Sequence, residues 1–381
     1  MSEGDPVTAR AGGTVGAIDA SVWDECAGDA NPFVSHAFLS ILEESGSVGE
    51  RTGWAPLPVT VGSDDHIAAV APVYVKSHSQ GEYVFDHSWA DAWERAGGRY
   101  YPKVQLAAPF TPVPGPRLLT RDPGYAPALI AAIEAVTANN RLSSAHATFI
   151  APEEVAIFED AGWLIREGSQ FHWQNEGYGD FDDFLTDLAS RKRKAIRKER
   201  RRAVEGLRIE HITGSDLTEA HWDIFWDFYQ DTGMRKWGRP YLTRPFFSLL
   251  GERMAEKTLL ILAYRGDTPV AGALNLIGAD TLYGRYWGCL EDVPFLHFEL
   301  CYYQAIDAAI ERGLKTVEAG AQGEHKLARG YRPVPTWSAH YFPDAGFRDA
   351  VANYLQAERA AVERDIKFLG EMGPFRKGGG L

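Results

Sequence analysis

The chain has 381 residues, 45% of them hydrophobic and 24% charged, with a formal net charge of −13. These values describe a globular protein long enough for two hydrophobic cores and exclude large-scale disorder. Cys26, Cys289 and Cys301 lack metal-ligand or CxxC spacing, so neither a disulfide framework nor a zinc site is expected, and a reducing cytosol is. The N-terminus has no signal-peptide pattern, and no run approaches the roughly 18 apolar residues of a membrane span. The expected location is the cytoplasm, at most peripheral at the inner membrane.

Residues 20–45 read as helix, with Trp23, Phe38, Leu39, Ile41 and Leu42 as buried candidates. Strands follow at 57–62 and 66–76, parted by the turn signal GSDD. The segment 77–119 holds five prolines between Pro102 and Pro116 among many aromatics, and reads as a rigid, extended loop. A helix over 125–141, a strand at 146–151, a short helix from Pro152 and paired strands in WLIREGSQFHWQNEG complete the first half.

The second half opens with one helix over 180–206, capped by Asp180, with Phe181, Phe184, Leu185, Leu188, Ala195 and Ile196 on one stripe. A strand at 207–212, helices around 221–233 and 245–257, and three strands within 258–290 follow. Then come an amphipathic helix at 296–313, strands at 315–320 and 336–342, and a helix over 349–372. Both halves run helix, strands, helix, strand, helix, strand, the order of a duplicated α/β fold. No GxGxxG, Walker or GxSxG motif occurs, which argues against dinucleotide, nucleoside-triphosphate and α/β-hydrolase chemistry.

Charge is distributed unevenly. Residues 191–202, RKRKAIRKERRR, carry +8 and leave −21 on the remainder. A cationic segment on an acidic chain is suited to an anion, and CoA phosphates, tRNA or acidic lipid headgroups would all serve.

The stretch GAQGEHKLARG (320–330) gathers Glu324, His325, Lys326 and Arg329 between glycines just past a strand. This is the composition of a solvated turn and also of a site. Amide-forming acyl transfer requires a neutral amine, donors for the developing oxyanion and a proton acceptor, but no covalent nucleophile. His325 and Glu324 are the candidate proton acceptors. Lys326 and Arg329 are candidates for holding a phosphate or carboxylate. His297 and Glu299 open the helix that follows the strand bearing Trp287, and are further catalytic and binding candidates. Asp86, Tyr101 and Lys103 lie in the aromatic, proline-stiffened region, where Asp86 can pair an ammonium. His340 lies on the last strand.

The segments YVKSHSQGEYVFDHSWA (74–90), YYPKVQLAAPFTPVPGPRLL (100–119), HFEL (297–300) and GAQGEHKLARGYRP (320–333) resemble those of the FemABX-like acyl- and aminoacyltransferases. More closely they resemble the bacterial N-acyltransferases once labelled peptidoglycan-biosynthesis-like. The resemblance implies an α/β (α+β) fold of two tandem GNAT-like domains, each a mixed, mostly antiparallel twisted sheet flanked by helices, at 15–175 and 176–372. It implies N-acyl transfer with acyl-CoA as co-substrate and no bound cofactor. A group of this type includes bacterial ceramide synthase, so a long-chain acyl-CoA and a sphingoid base are a concrete expectation, with aminoacyl-tRNA and a peptidoglycan precursor as the second. A non-catalytic module on anionic membranes, contacting them through 191–202, is the third. The place where a GNAT domain carries a glycine-rich pyrophosphate loop here reads CLEDVPFL (289–296), whose Glu291 and Asp292 repel phosphate.

Overall fold

A computed structural model of the protein describes residues 7–63, 66–236, 240–320 and 323–376. The chain forms two compact units. Unit 1 comprises the chain up to Gly168 and Pro335–Glu363, and unit 2 comprises Ser169–Val334 and the chain from Arg364.

Unit 1 contains a sheet of Thr8–Ala11, Val59–Gly62, Ile67–Ala71 and Leu119–Thr120, in that order. It also contains a ladder of Trp54–Pro56, Val73–Lys76, Lys103–Leu106, Ala145–Ile150 and the end of Arg332–Tyr341. Lys103–Leu106 runs parallel to Ala145–Ile150, and the other pairs of this ladder are antiparallel. The helix Ala126–Asn139 supplies Leu129, Ile130 and Ile133 to the core.

Unit 2 orders Arg208–Thr213, Thr258–Arg265, Thr268–Ile277, Thr281–Cys289, Thr316–Glu318 and residues 172–174 of Leu164–Gln174. Every residue of Thr258–Arg265 except Arg265 is buried, as a strand covered on both faces requires. The helix Glu219–Lys236 comes so near the sheet that a Cβ on Gly288 would lie 2.1 Å from the Phe228 carbonyl oxygen, so only glycine fits there. Thr281–Cys289 pairs in parallel with Thr316–Glu318 over 281–283 alone. From Gly284 onward that edge has no strand partner among the described residues, and a cleft opens there.

Several elements differ from the sequence expectation. The helix expected over 20–45 is two, Ala20–Ala27 and His36–Glu44, because Gly28 ends the first and Asn31–Pro32 start a new turn. The segment 77–119 contains a helix, His87–Arg95, and the strand Lys103–Leu106, since its prolines cluster outside both. The paired strands expected in 163–177 are one strand of eleven residues, Leu164–Gln174. The helix expected over 180–206 breaks at extended Leu188 into Phe181–Asp187 and Ser190–Ala203. Residues 335–363, expected in the second domain, pack in unit 1, where 337–341 pair with Ala145–Ile150.

Candidate active site

The cleft in unit 2 lies where the two strands part. It has a volume of about 90 Å³ and is lined by Asn275, Arg285, Trp287, His297, Cys301 and Tyr302, among others. The helical segment along one wall is not uniform. Leu296–Phe298 is α-helical, Glu299–Tyr303 forms a π-helical turn, and Gln304–Glu311 resumes the α-helix. Residues five apart in an α-helix point about 140° away from each other. The i→i+5 winding of a π-turn brings them one above the other. His297 and Tyr302 therefore face the same cleft, with ring centroids 5.4 Å apart. On the helix's other side Glu299 accepts from Gln304 Nε2 at 2.7 Å.

The loop after Thr316–Glu318 returns as a 3₁₀ helix, Glu324–Arg329. Gly330 ends it with φ of 90°, and a Cβ there would lie 2.4 Å from the Phe184 ring. His325 Nε2 lies 2.8 Å from the Tyr302 hydroxyl, which joins the loop to the cleft wall. Partial burial first, then the Arg329 and Lys326 cations, hold His325 below its ordinary value and keep it neutral at pH 7. In the tautomer that carries its proton on Nδ1, the neutral imidazole accepts at Nε2 from the Tyr302 hydroxyl; in the other tautomer the direction reverses.

Buried charge surrounds this pair. Burial raises the Glu318 carboxyl to about 7, opposed by Arg285, whose Nη2 stands 3.4 Å away. Burial, with Arg285 adding to it, lowers the Lys326 ammonium to about 7; its Nζ donates to the Gly320 carbonyl at 2.7 Å. His172, 3.8 Å from Glu318, is pushed down to about 3 by burial and by Arg285, so it stays neutral. Arg329 donates to Glu199 at 2.9 Å and to the His325 carbonyl at 2.7 Å, and covers the Phe298 ring.

The family model described as FemAB-like, peptidoglycan biosynthesis/recognition, matches residues 14–377. The chain belongs to the FemAB-like family. Among solved structures, this FemAB-like protein matches a FemX crystal structure at 12% identity and TM-score 0.55, over 88% of this chain and 98% of that one. It also matches L-PGS from Bacillus licheniformis at 11% identity and TM-score 0.51, over 84% and 93% of the respective chains. A Bacteroides thetaiotaomicron protein of unknown function matches at 10% identity and TM-score 0.53, over 84% and 95%. No curated protein matches the sequence. The mixed, mostly antiparallel sheets flanked by helices agree with the expected architecture.

The FemAB-like chain gathers the sequence candidates into two groups. His297, His325, Lys326, Arg329 and Trp287 assemble around the unit 2 cleft, with Trp287 5.2 Å from the His297 ring. The Glu324 side chain lies outside the described residues. Glu299 is turned to the other side of its helix, 1% exposed, and is held by Arg200 at 3.0 Å, so it already has its cation. Lys326 and Arg329 are buried rather than solvated: Lys326 Nζ donates to the Gly320 carbonyl and both Arg329 Nη atoms donate within the fold, while Arg329 Nε is buried without a partner among the described residues.

Asp86, Tyr101, Lys103 and His340 meet instead in a buried network of unit 1. Lys103 donates to Asp86, to Glu82 at 2.7 Å and to Ser79 at 2.8 Å, and Ser79 also meets the Tyr101 hydroxyl at 2.8 Å. Tyr100 donates to Asp86 at 2.6 Å and lies 3.2 Å from His146, whose Nδ1 is 2.7 Å from His340 Nδ1. Burial alone would raise Asp86, but Lys103 holds it well below the ordinary carboxylate range. Lys103 thus occupies the place expected for a substrate ammonium, and at 0% and 2% exposure the pair is closed to an incoming ligand.

Tyr302, Arg285 and Glu318 were missed by the sequence reading. Arg285 and Glu318 had a signal, since a charge inside an otherwise apolar strand is expected to have a buried partner. Tyr302 had none, because α-helical periodicity places it away from His297. Among the described residues no helix is long and apolar enough to cross a membrane, and no acidic, His or Cys cluster would hold a metal.

Proposed function

We propose that this protein forms an amide by transferring a short, polar acyl group, of the aminoacyl kind, from an activated ester or thioester to a primary amine. The observation that carries this reading is the Tyr302–His325 pair at a cleft opened by two parting strands. A cavity of about 90 Å³ lined by Asn275, Arg285 and His297 suits a small polar group better than a long alkyl chain. We therefore do not retain the long-chain acyl donor and sphingoid acceptor implied by the family resemblance, and the family description favours an amine of a peptidoglycan precursor.

In this mechanism the amine nitrogen attacks the donor carbonyl carbon, forming the C–N bond. The amine proton passes through the Tyr302 hydroxyl to His325 Nε2. Arg285, lining the cleft and steadied by Glu318, donates toward the carbonyl oxygen as it becomes an oxyanion. The C–O or C–S bond to the carrier then breaks, and His325 returns the proton through Tyr302 to the leaving oxygen or sulfur. The unpaired strand edge from Gly284 offers backbone N–H and C=O groups to an extended, amide-bearing arm of either substrate.

The test is amide formation, read by mass spectrometry, with a lysine-containing cell-wall peptide as acceptor and aminoacyl-tRNA, acetyl-CoA or palmitoyl-CoA as donor. The reading requires product from aminoacyl-tRNA or acetyl-CoA, with the rate cut by about 10²–10⁴ in His325→Ala. Product from palmitoyl-CoA alone, or full activity in His325→Ala, would overturn it.

A further inference from the structure

We propose that the outer face of the helix Ser190–Ala203, together with the C-terminal turn carrying Phe368 and Met372, is a docking surface for an anionic lipid bilayer. The helix has two distinct sides. Ile196, Glu199, Arg200 and Ala203 recur at i, i+3, i+4 and i+7 and face inward. Ile196 and Ala203 are buried, Glu199 accepts from Tyr303 at 2.6 Å, and Arg200 pairs with Glu299 and Asp307. This side of the basic segment is therefore structural.

The opposite side carries Arg191, Lys194, Lys198 and Arg201, all exposed, in a row about 15 Å long. None of the four makes an ion pair among the described residues. A straight row of uncompensated cations matches the plane of a charged bilayer. The rest of the chain is acidic and would be repelled, so this face orients the encounter.

A second feature adjoins it. Ala189 N donates to the Pro374 carbonyl at 2.8 Å, Arg376 N donates to the Asp187 carbonyl at 3.0 Å, and Leu188 bridges Phe375. These bonds fasten the end of the helix Ala345–Glu371 beside the start of the basic helix. Just before them Phe368, in the last turn of that helix, and Met372, one residue past its end, are 62% and 59% exposed. Exposed Lys367 and Arg376 flank them. Cations next to a projecting aromatic and a thioether match the headgroup and acyl boundary of a membrane. A phosphodiester backbone would use the cations and leave the apolar pair without a role.

The test is co-sedimentation of the full chain with vesicles of pure phosphatidylcholine or of equal parts phosphatidylcholine and phosphatidylglycerol. The expected result is binding to the anionic vesicles only, weakened by salt. R191Q/K194Q/K198Q/R201Q should lower partitioning by at least about 100-fold, and F368S/M372S by about tenfold. Circular dichroism of both variants should match the parent. Absence of anionic-vesicle binding, or binding indifferent to both variants, would overturn the proposal. So would salt-sensitive binding to tRNA that is lost in the cation variant, unchanged in F368S/M372S and unaccompanied by vesicle binding, which would assign the face to nucleic acid. Because these residues lie outside the Tyr302–His325 cleft, failure here leaves the transferase reading standing, and the reverse also holds.

Discussion

Glu318 supplies a test of the cleft's electrostatics that requires no substrate. Its carboxyl is held at about 7 in the folded chain, against an ordinary 4.5, chiefly by burial. Between those values the folded state keeps a proton that the unfolded state has lost, so stability falls as pH rises through this window and levels off above it. The gap corresponds to about 3 kcal/mol, an order-of-magnitude figure for a group only 6% exposed. Glu318→Gln removes the titration and keeps the shape. Urea unfolding of both proteins, followed by tryptophan fluorescence from pH 4.5 to 8, isolates it. Titrating groups remote from Glu318 contribute alike to both proteins and cancel in the difference. Wild type should lose about 3 kcal/mol relative to Glu318→Gln across the window. Parallel profiles, or a difference of the opposite sign, would refute the buried-carboxyl argument.

Other perturbations probe neighbouring features. Tyr302→Phe should fold normally and lower kcat by about tenfold or more without raising KM in proportion, since it removes only the proton path. Arg200→Met should cost about 3–5 kcal/mol in urea unfolding, because Glu299 is then buried without its cation. Lys103→Met should cost a similar ~3–5 kcal/mol by stranding Asp86 in unit 1 and leaving Glu82 only Lys76, 3.8 Å away. Gly330→Ala should destabilise by about 1–3 kcal/mol, measured the same way, because φ of 90° and the Phe184 ring both oppose a Cβ.

Much of the architecture is legible from period and punctuation. The Asp180 cap accepts from Asp183 N as its position suggests, and the strands within 258–290 follow from apolar runs parted by turn residues. Breaks inside helices were harder to see. Leu188 is apolar and on the expected stripe, yet its extended backbone ends one helix, and only tertiary context fixes that. The loop 320–330 was recognisable by its glycines and charges, but its fold was not. A 3₁₀ turn places Lys326 and Arg329, three apart, inside the protein, where composition suggested either a solvated turn or an anion-holding site. Asp86 and Lys103 were chosen separately for a ligand, and their mutual neutralisation emerges only when the strand Lys103–Leu106 brings them together.

The π-helical turn at Glu299–Tyr303 acts as a gap concealed inside a continuous helix. Residues before it and residues after it belong to two registers, offset by about 100° for the one extra residue. An ungapped comparison with a relative that winds this segment as plain α-helix would align His297 correctly and misplace Tyr302, or the reverse. Conservation scored that way would divide the proposed proton path and make each half look dispensable. A single-residue deletion here would also be invisible as a helix break while turning the two ends against each other like a screw. The segment is therefore best compared face by face, with the cleft side and the Arg200 side counted separately.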